Sequence, residues 1–588
     1  MNHSDIQNNV SNGIYSVVQK RKGRSEIWTL FGEIQRGDGT YVEDVVCCRT
    51  CSQILKFSGK QTSNLVRHKC YIQRYQPEQL IKVGPNEKQN IFNICSQWII
   101  QDCRPFSALA SVGFRKMVKA FIRVGAKYGE EVDLDDLLPD PTTVSRRIKH
   151  SAEEKKENMK AEIKSIVSNG QASMTVDLWS DNFVRRNYLC ATFHFSKNDS
   201  LSEIVLGVKS LDFLKTTAAA ILTKIKSILM EFEVDDARDI SFVTDRGSNI
   251  ISALKGYNRI NCSNHLFANV LDNSFDDTSE LTVLIDDCKR LVKYFKKANI
   301  QHLLTTSLKS PCKTRWNSNL NLFKSIATNW LKINDILSEK SENYRLGDIN
   351  LNILNVLVEL CDNFEKINKK LQGRSYTTIN YIYPSIYRLQ KLCEFKDTDM
   401  NVISCLKTNI LNQIEHKWIP NLNIIHKAAY FLFPPTNNSL SREFITEVKA
   451  FCVEQISTME EPVNETTSQR LLQSLPPGNE LELFFPELLE LPTVASTESL
   501  NDEVEKYSRT TVAITMEFNA LQWWREHRCD FPKLSILARK ILSIPASSAA
   551  SERIFSLAGH LISEKRSRLD PKTVDSLLFL HSVFKNDF

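Results

Sequence analysis

Segment 173–180 constrains the fold of this chain most, because its apolar and polar residues alternate as they do in a half-buried strand. Val176 and Leu178 fall on one face, while Thr175 and Asp177 fall on the other. The segment therefore predicts a strand that carries a carboxylate on the face opposite its apolar residues.

The segments that follow predict how this strand is extended into a sheet. A polar break separates two more strands and suits an antiparallel meander, and a helical pattern then leads into a further strand. The predicted strands are 187–196, 202–209 and 240–247, and the predicted helix is 216–232. Three strands, a helix and another strand are the order of a ribonuclease-H-like core. We expect a fold of the α/β plus all-α class, with a mixed-sheet core interrupted by helices.

In that arrangement the first and fourth strands are neighbours, so Asp177 and Asp245 should meet at one edge of the sheet. Two close carboxylates repel unless a cation lies between them, and Mg²⁺ or Mn²⁺ with oxygen ligands is suited to that place. These two residues are therefore predicted metal ligands.

Segment 543–559 carries a third candidate, Glu552, among small and apolar residues. The helix-forming sequence fits a buried packing helix, but burial of a glutamate is costly unless the acid is paired or binds a metal. We expect Glu552 to be buried and to join Asp177 and Asp245 in a two-metal site. There, one ion activates an attacking oxygen and the other stabilises the leaving oxygen of a phosphodiester.

A Cys-x-x-Cys motif near the start predicts a small zinc module. Cys48 ends the predicted strand 41–48, Cys51 follows it, and His68 and Cys70 come about sixteen residues later. Only one residue separates His68 from Cys70, so both can bind one ion only if the helix ends near His68. The alternative is a set of reduced, unligated thiols.

Two further motifs suggest contacts with nucleic acid. His265, in Asn-Cys-Ser-Asn-His, fits a hydrogen-bonding group near the metals, or else a satisfied core histidine. Arg315 and Trp316 stand in a lysine-rich stretch, where an indole could stack on an exposed base while arginine holds a phosphate. Packing in the core is the alternative for Trp316.

Composition limits the class of protein. The chain of 588 residues, 42% of them hydrophobic, should form several globular domains. Its fifteen scattered cysteines indicate a reducing compartment, and no apolar run is long enough to cross a membrane. The basic run 20–24 is either a nuclear import signal or a solvated surface.

The remaining segments are mainly helical. Five aromatic or aliphatic residues between 78 and 150 are expected to be buried, namely Trp98, Phe106, Phe114, Met117 and Phe121. Basic residues 146–156 fit either a DNA contact or a solvated helix face. An acidic, proline-containing loop near 460–505 should be disordered. The apolar closing segment, which includes Trp523 and Trp524, suggests that two chains pack together there.

Taken together, these motifs resemble those of the hAT superfamily of DNA transposases, in the hobo/Hermes-like branch. The resemblance rests on five motifs, in this order, beside a BED-type finger: TVDLWSD, FVTDRGSN, INCSNHL, CKTRWNS and SIPASSAASERIFSLAG. It implies that Asp177, Asp245 and Glu552 form a DDE triad. It also implies that Trp316 stacks on a flipped base next to Arg315, and that His265 is the histidine of a Cys-x-x-His motif.

The resemblance also implies a domain order and partners. The expected domains are a BED-type zinc finger at 1–76, a helical intertwining and DNA-binding domain at 77–165, the first part of the catalytic core at 166–318, an all-α insertion at 319–510, and the second part of the core with the dimerisation region at 511–588. The expected partners are double-stranded DNA, at transposon terminal inverted repeats and in the target, and further copies of the chain in dimers or larger assemblies. No membrane and no small-molecule substrate are expected.

The implied reaction is cut-and-paste transposition in the nucleus, with Mg²⁺ or Mn²⁺ at the triad and Zn²⁺ in the finger. The alternative is a domesticated, non-catalytic BED-finger regulator of transcription. A binding protein has no need for three acids spread over hundreds of residues, so the intact triad favours the enzyme.

Overall fold

The computed structural model divides the chain into two compact units, Met1–Leu138 and Pro139–Phe588. The residues that it describes are 3–18, 26–57, 63–71, 83–129, 131–181, 183, 185–211, 216–311, 317–436, 441–459, 503–512, 518–562 and 569–586. Within these residues, no helix is both long enough and apolar enough to cross a membrane.

The first unit contains a four-stranded antiparallel sheet in the order β1-β2-β3-β4. Its elements are α1 (His3–Ser11), β1 (Ser16–Val18), β2 (Phe31–Gln35), β3 (Tyr41–Cys48), β4 (Ile54–Lys56) and the short helix α2 (Ser63–Val66). Strand β3 has the predicted bounds. Side chains alternate along it, so that Cys47 joins one small core and Val46 and Cys48 join another. Each core is small, as expected for a module that a metal stabilises.

Three more helices complete the first unit: α3 (Pro85–Asp102), α4 (Val112–Tyr128) and α5 (Leu134–Leu137). The prediction of buried residues here is wrong for Phe106, Met117 and Phe121, which are exposed. Trp98 and Phe114 are half-buried and stack on each other at a centroid distance of 5.2 Å. A periodic pattern identifies the apolar face of a helix, whereas burial depends on what packs against that face.

The second unit contains a five-stranded mixed sheet in the order β7-β6-β5-β8-β9. Its strands are β5 (Ser173–Ser180), β6 (Asn187–Lys197), β7 (Ser200–Ser210), β8 (Ser241–Thr244) and β9 (Asn258–Asn261). The first three form the predicted antiparallel meander, and β8 runs parallel to both β5 and β9. A long helix, α6 (Pro141–Ser168), precedes the sheet. The helix predicted between the third and fourth strands is α7 (Ala218–Met230).

Helices cover both faces of this sheet. On one face, α6 (Pro141–Ser168) and α7 (Ala218–Met230) pack on β5, β6 and β8. Helices α8 (Ser248–Ala253), α9 (Ser263–Asp276) and α10 (Ser279–Lys297) follow β8 and β9. On the other face lies α21 (Ala549–Leu561), and α22 (Pro571–Asn586) packs along the edge strand β7.

Helix α6 lies in the second unit, although the sequence analysis assigned residues up to 165 to a separate helical domain. Two of its lysines are held by acids of the closing segment. Lys149 Nζ lies 2.9 Å from Asp570 Oδ2, and Lys156 Nζ lies 3.3 Å from Asp575 Oδ2. Lys156, which is mostly buried, therefore pairs within the chain, whereas the sequence had suggested either a DNA contact or a solvated face.

Between residue 317 and α21, helix follows helix in the described residues, as predicted. These helices are α11 (Asn317–Thr328), α12 (Trp330–Glu339), α13 (Leu351–Leu371), α14 (Ile382–Leu392), α15 (Asn401–Gln413), α16 (Ile424–Phe431), α17 (Arg442–Ser457), α18 (Glu503–Ser508), α19 (Ala520–Glu526) and α20 (Pro532–Leu542). They share one apolar core with α9 and α10. The loop predicted at 460–505 lies outside the described residues up to 502.

The apolar closing segment is used inside the chain. Trp524 is fully buried, its ring lies 4.8 Å from that of Tyr507, and its indole N–H donates to the Leu432 carbonyl at 2.8 Å. Trp523 stacks on His527 at 3.9 Å. Long-range packing within the chain therefore covers both tryptophans.

Candidate active site and zinc centre

The parallel pairing of β5 with β8 brings Asp177 and Asp245 to the same level of the sheet. The pairing ends at Thr175 and Val243, and Asp177 and Asp245 each lie two residues further along the chain. Leu178 N donates to Asp177 Oδ1 at 2.8 Å, and Gly247 N donates to Asp245 Oδ1 at 3.1 Å. One oxygen of each carboxylate is thus held by the backbone.

Helix α21 carries Glu552 in its first turn and packs against β5 and β6. The small residues before Glu552, namely Ala549, Ala550 and Ser551, are buried. Ser551 Oγ lies 2.8 Å from Thr175 Oγ1, so the helix is bonded to the strand that carries Asp177. Small side chains allow this close approach.

The expectation that Glu552 itself is buried is wrong, since 53% of its side chain is exposed. Its neighbour Arg553 faces inward instead and pairs with Glu203 at 2.7 Å. Successive helical residues point about 100° apart, so an apolar helix can place one acid at its open edge. An exposed position suits a group that must reach metal ions and DNA.

His265 reaches the same place from the start of α9. Its Nε2 lies 3.9 Å from Glu552 Oε1. The two helices are joined at their N-termini, because Ser548 N donates to Cys262 Sγ at 3.2 Å and Ser263 N donates to the Ala546 carbonyl at 2.9 Å. The cysteine of the Cys-x-x-His motif thus takes part in this helix junction.

The electrostatics tie these residues into one site. The pKa of Asp177 is raised to about 7, chiefly by burial and in addition by the Asp245 and Glu552 carboxylates. The Leu178 N–H and the nearby His265 act in the opposite direction and lower it. The adjoining Cys262 side chain raises the pKa of His265 to about 10, with smaller contributions from Glu552 and Asp177. His265 is therefore protonated at neutral pH, and its charge compensates that of Asp177 only in part.

Three carboxylates are the donor set that hard divalent cations prefer, and the raised pKa of Asp177 marks a place where a cation would be stabilised. The ligand oxygens of the three carboxylates do not all lie within 4.8 Å of one another. Among the described residues, one group of Cys, His and acidic side chains has ligand atoms that all lie within 4.8 Å of one another, and it belongs to the first unit. The three carboxylates have the donor atoms that a divalent cation requires, but their side chains must move closer together to bind one.

The tightly grouped set is Cys48, Cys51, His68 and Cys70, the four predicted zinc ligands. Cys51 Sγ lies 3.2 Å from His68 Nε2. Helix α2 ends at Val66, so the chain turns before His68 and brings both late ligands to one point, as the short spacing required. Three sulfurs and one imidazole match a tetrahedral structural zinc site, and the finger is a zinc centre.

Several predicted features lie outside the described residues: Arg315, Trp316 and the basic run 20–24. The sequence analysis also missed Glu203 and Asp575. The signal for both was available, since each is a single acid inside a mainly apolar strand or helix.

Comparison with known proteins identifies the class. Residues 499–584 match the hAT family C-terminal dimerisation region, and residues 76–143 match the Hermes transposase DNA-binding domain. The chain is 42% identical over 594 aligned positions to the Hobo transposase of Drosophila melanogaster, with 94% of this chain and 91% of that protein covered. This identity over nearly the whole of both chains places the protein in the class of DNA transposases. The match at 499–584 supports the expected packing of two chains through the closing segment.

More distant relatives extend the likeness. The Putative AC transposase of Zea mays is 23% identical, over 72% of this chain and 58% of that protein. The Arabidopsis thaliana zinc finger BED domain-containing protein DAYSLEEPER is 35% identical over 82 residues, which cover 14% of this chain. The chain belongs to the hAT transposase family, in its hobo/Hermes-like branch.

Proposed function

We propose that this chain catalyses cut-and-paste transposition of DNA with Asp177, Asp245 and Glu552 as the ligands of Mg²⁺ or Mn²⁺. The observation that carries the proposal is that Asp177 and Asp245 each lie two residues beyond a paired residue of neighbouring parallel strands, Thr175 and Val243. The Glu552 helix is bonded to the strand that carries Asp177. The strand order, with a parallel β5–β8 pair beside an antiparallel meander, supports a ribonuclease-H-like core at 166–318 and 511–588.

The reaction is a series of in-line phosphoryl transfers at one site. Water attacks the phosphodiester at the 5′ end of the transposon, and the flanking strand leaves with a free 3′-hydroxyl. That hydroxyl attacks the opposite strand, so a hairpin forms on the flanking DNA and the 3′-hydroxyl of the transposon is released. The released hydroxyl then joins to target DNA. Bound divalent ions supply Lewis-acid charge and lower the pKa of the attacking oxygen.

The protein's own side chains have distinct tasks in this scheme. Asp177 and Asp245 are held by backbone N–H groups, so their free oxygens keep a fixed direction. Glu552 closes the site from the helix. His265 is protonated at neutral pH and can donate to Glu552 or to a phosphate oxygen as negative charge grows there. Trp316, stacked on a flipped base, and Arg315, on a phosphate, would hold the DNA end.

The other expectations complete the proposal. The zinc finger at 1–76 and the helical segment at 77–165 bind double-stranded DNA at the terminal inverted repeats, and the insertion at 319–510 interrupts the core. The chain acts in the nucleus as a dimer or a larger homo-oligomer, where several weak finger contacts add together. The domesticated-regulator alternative is not favoured, because all three acids are present.

The test uses a labelled duplex that carries the element's ends, with Mg²⁺ or Mn²⁺. We expect the wild type to produce nicks and then flanking hairpins, and Glu552→Gln to produce neither. Glu443→Gln is the matched control, because Glu443 is also an exposed glutamate in the first turn of a helix, α17. The proposal fails if wild type and Glu552→Gln give the same products, or if neither cuts.

A further inference from the structure

We infer that Arg553 is a positioning residue that fixes the direction of Glu552 relative to Asp177 through its contacts with Glu203 and Gln372. The inference rests on the proposed function, because it assigns a role to Arg553 only if Glu552 is a ligand of the metal site. It adds to the three acids a residue whose guanidinium contacts Glu203 and Gln372.

Arg553 joins three separate parts of the second unit. Its Nη2 lies 2.7 Å from Glu203 Oε2 on β7, and its Nη1 donates to the Gln372 carbonyl at 3.2 Å, just after α13. Arg374 adds a second cation, 3.7 Å from the other oxygen of Glu203. Sheet, catalytic helix and helical region therefore meet at one guanidinium group.

The residue on the other side of Glu552 is anchored as well. Ser551 Oγ bonds Thr175 Oγ1 at 2.8 Å, and Thr175 also bonds Thr192, which lies 2.8 Å from His194 Nε2. This polar chain is buried beneath α21. Glu552 is thus flanked by two neighbours that are both tied to the sheet.

Because of helix geometry, these two contacts determine the direction of the Glu552 side chain. Side chains of successive helical residues point about 100° apart, so fixing residues 551 and 553 fixes the rotation of α21 about its axis. Glu552 has 53% of its side chain exposed, and its carboxylate lies 3.9 Å from His265 Nε2. Its direction toward Asp177 therefore depends on its neighbours, and a displacement of about 1 Å at a catalytic group can cost about a hundredfold in rate.

The pair remains ionised around neutral pH. Burial would raise the pKa of Glu203, but His194, Arg553 and Arg374 outweigh it and leave the pKa below its usual value. Burial lowers the pKa of His194 to about 4, so at neutral pH the charges that stabilise the Glu203 carboxylate are those of Arg553 and Arg374. The Arg553–Glu203 contact is therefore a standing ion pair rather than a switch.

The test compares Arg553→Met, Arg553→Lys and Glu203→Gln with the wild type in the full-length protein. Binding of Mn²⁺ is measured from the electron paramagnetic resonance of the free ion, and single-turnover cleavage is measured on the same preparations. We expect Arg553→Met to raise the Mn²⁺ concentration for half-saturation about tenfold, as loss of outer-shell support does in other metal sites. Arg553→Lys, which keeps the charge on Glu203, should recover part of that loss.

Lys407→Met is the matched control. Lys407 and Asp399 form an ion pair of 2.7 Å, and both side chains are less than 10% exposed, but the pair lies in the helical region away from the triad. This variant should lower the melting temperature and leave the Mn²⁺ dependence unchanged. A purely structural role for Arg553 would produce the same behaviour in Arg553→Met.

Each outcome bears on the inference. An unchanged Mn²⁺ half-saturation in Arg553→Met, or an equal shift in Lys407→Met, overturns it. If Arg553→Met does not fold, Arg553→Lys and Glu203→Gln must show the shift, and its absence in both overturns the inference. Failure of the proposed function has another signature, since the wild type and Asp245→Asn would then bind Mn²⁺ equally.

Discussion

Asp177 and Asp245 lie at the same level of two neighbouring parallel strands, because the offset that pairs Thr175 with Val243 also relates the two acids. Asp177 remains within β5, whereas Asp245 is the first residue after β8. The register of the two strands thus brings both carboxylates to one end of the β5–β8 pair. The raised pKa of Asp177, caused chiefly by burial and further by the Asp245 and Glu552 carboxylates, is the physical basis of the first two predictions.

Divalent metal binding should depend on pH through Asp177. Its pKa of about 7 means that the carboxyl is mostly protonated below that pH, and a metal ligand must lose its proton. We expect the affinity for Mn²⁺ to rise about tenfold per pH unit below pH 7 and then to level off. A Mn²⁺ titration at several pH values between about 5.5 and 8.5 measures this. A flat profile would contradict it.

The same shift predicts a pH-dependent gain in stability for metal-free Asp177→Asn. The folded-state pKa is raised above the ordinary 3.8, so the folded protein binds more protons than the unfolded chain between about pH 4 and 7. Wild-type stability therefore falls as pH rises through that window. We expect Asp177→Asn to be more stable than wild type by on the order of 2 kcal/mol at pH 8, with the difference vanishing near pH 4.

Thermal melts in a chelator at pH 4.5 and pH 8 measure this difference. Excess Mn²⁺ at pH 8 should reverse its sign, because the metal stabilises the wild type and Asp177→Asn has lost a ligand. Equal melting temperatures of the two proteins at pH 8 without metal would count against the assignment of a destabilised carboxylate.

The zinc finger should lose its fold when the metal is removed. Its cores are small, so much of the stability of the module comes from the ion. We expect Cys48→Ser to abolish zinc binding and Cys70→Ser to weaken it at least tenfold. The control is Cys47→Ala, which removes a buried thiol adjacent to the ligand set but outside it. Zinc content and protease resistance of residues 1–71 provide the measurement, and full zinc content in Cys70→Ser would exclude Cys70 as a ligand.

Asp575 should be a major determinant of the stability of the second unit. Its Oδ1 accepts from Val208 N at 2.7 Å, and its Oδ2 lies 2.7 Å from Lys209 Nζ, so it fastens α22 to the edge strand. Removing Asp575 leaves the buried Val208 N–H without its acceptor, while Lys209 and Lys156 keep Glu231 as a counter-ion. We therefore expect Asp575→Ala to cost about 1–3 kcal/mol.

Urea denaturation followed by tryptophan fluorescence measures this cost. Asp362→Ala is the control, because Asp362 pairs with Lys324 in a contact that is about one-third exposed on both sides, and its loss should cost less than about 1 kcal/mol. Equal effects of the two substitutions would show that Asp575 does not fasten the helix.

The sequence by itself determined the local elements and the chemistry they carry. Strand β3 and the meander follow from alternation with a period of two, which the backbone imposes on any strand. Asp245 could be matched to Asp177 because each stands in or directly after a strand whose pattern is visible. The zinc ligands follow from spacing, since Cys48 and Cys51 lie on one short turn.

Only the tertiary structure decided which side chains are covered. Periodicity reports which residues share a face, but burial depends on segments far away in the chain. Glu552 is therefore exposed although its helix is apolar, Phe106 is exposed although it was expected in a core, and Trp524 is buried under Leu432 rather than free for a partner chain. The tertiary structure also decided the Arg553–Glu203 ion pair. Its strand and its helix are separated in sequence by most of the second unit.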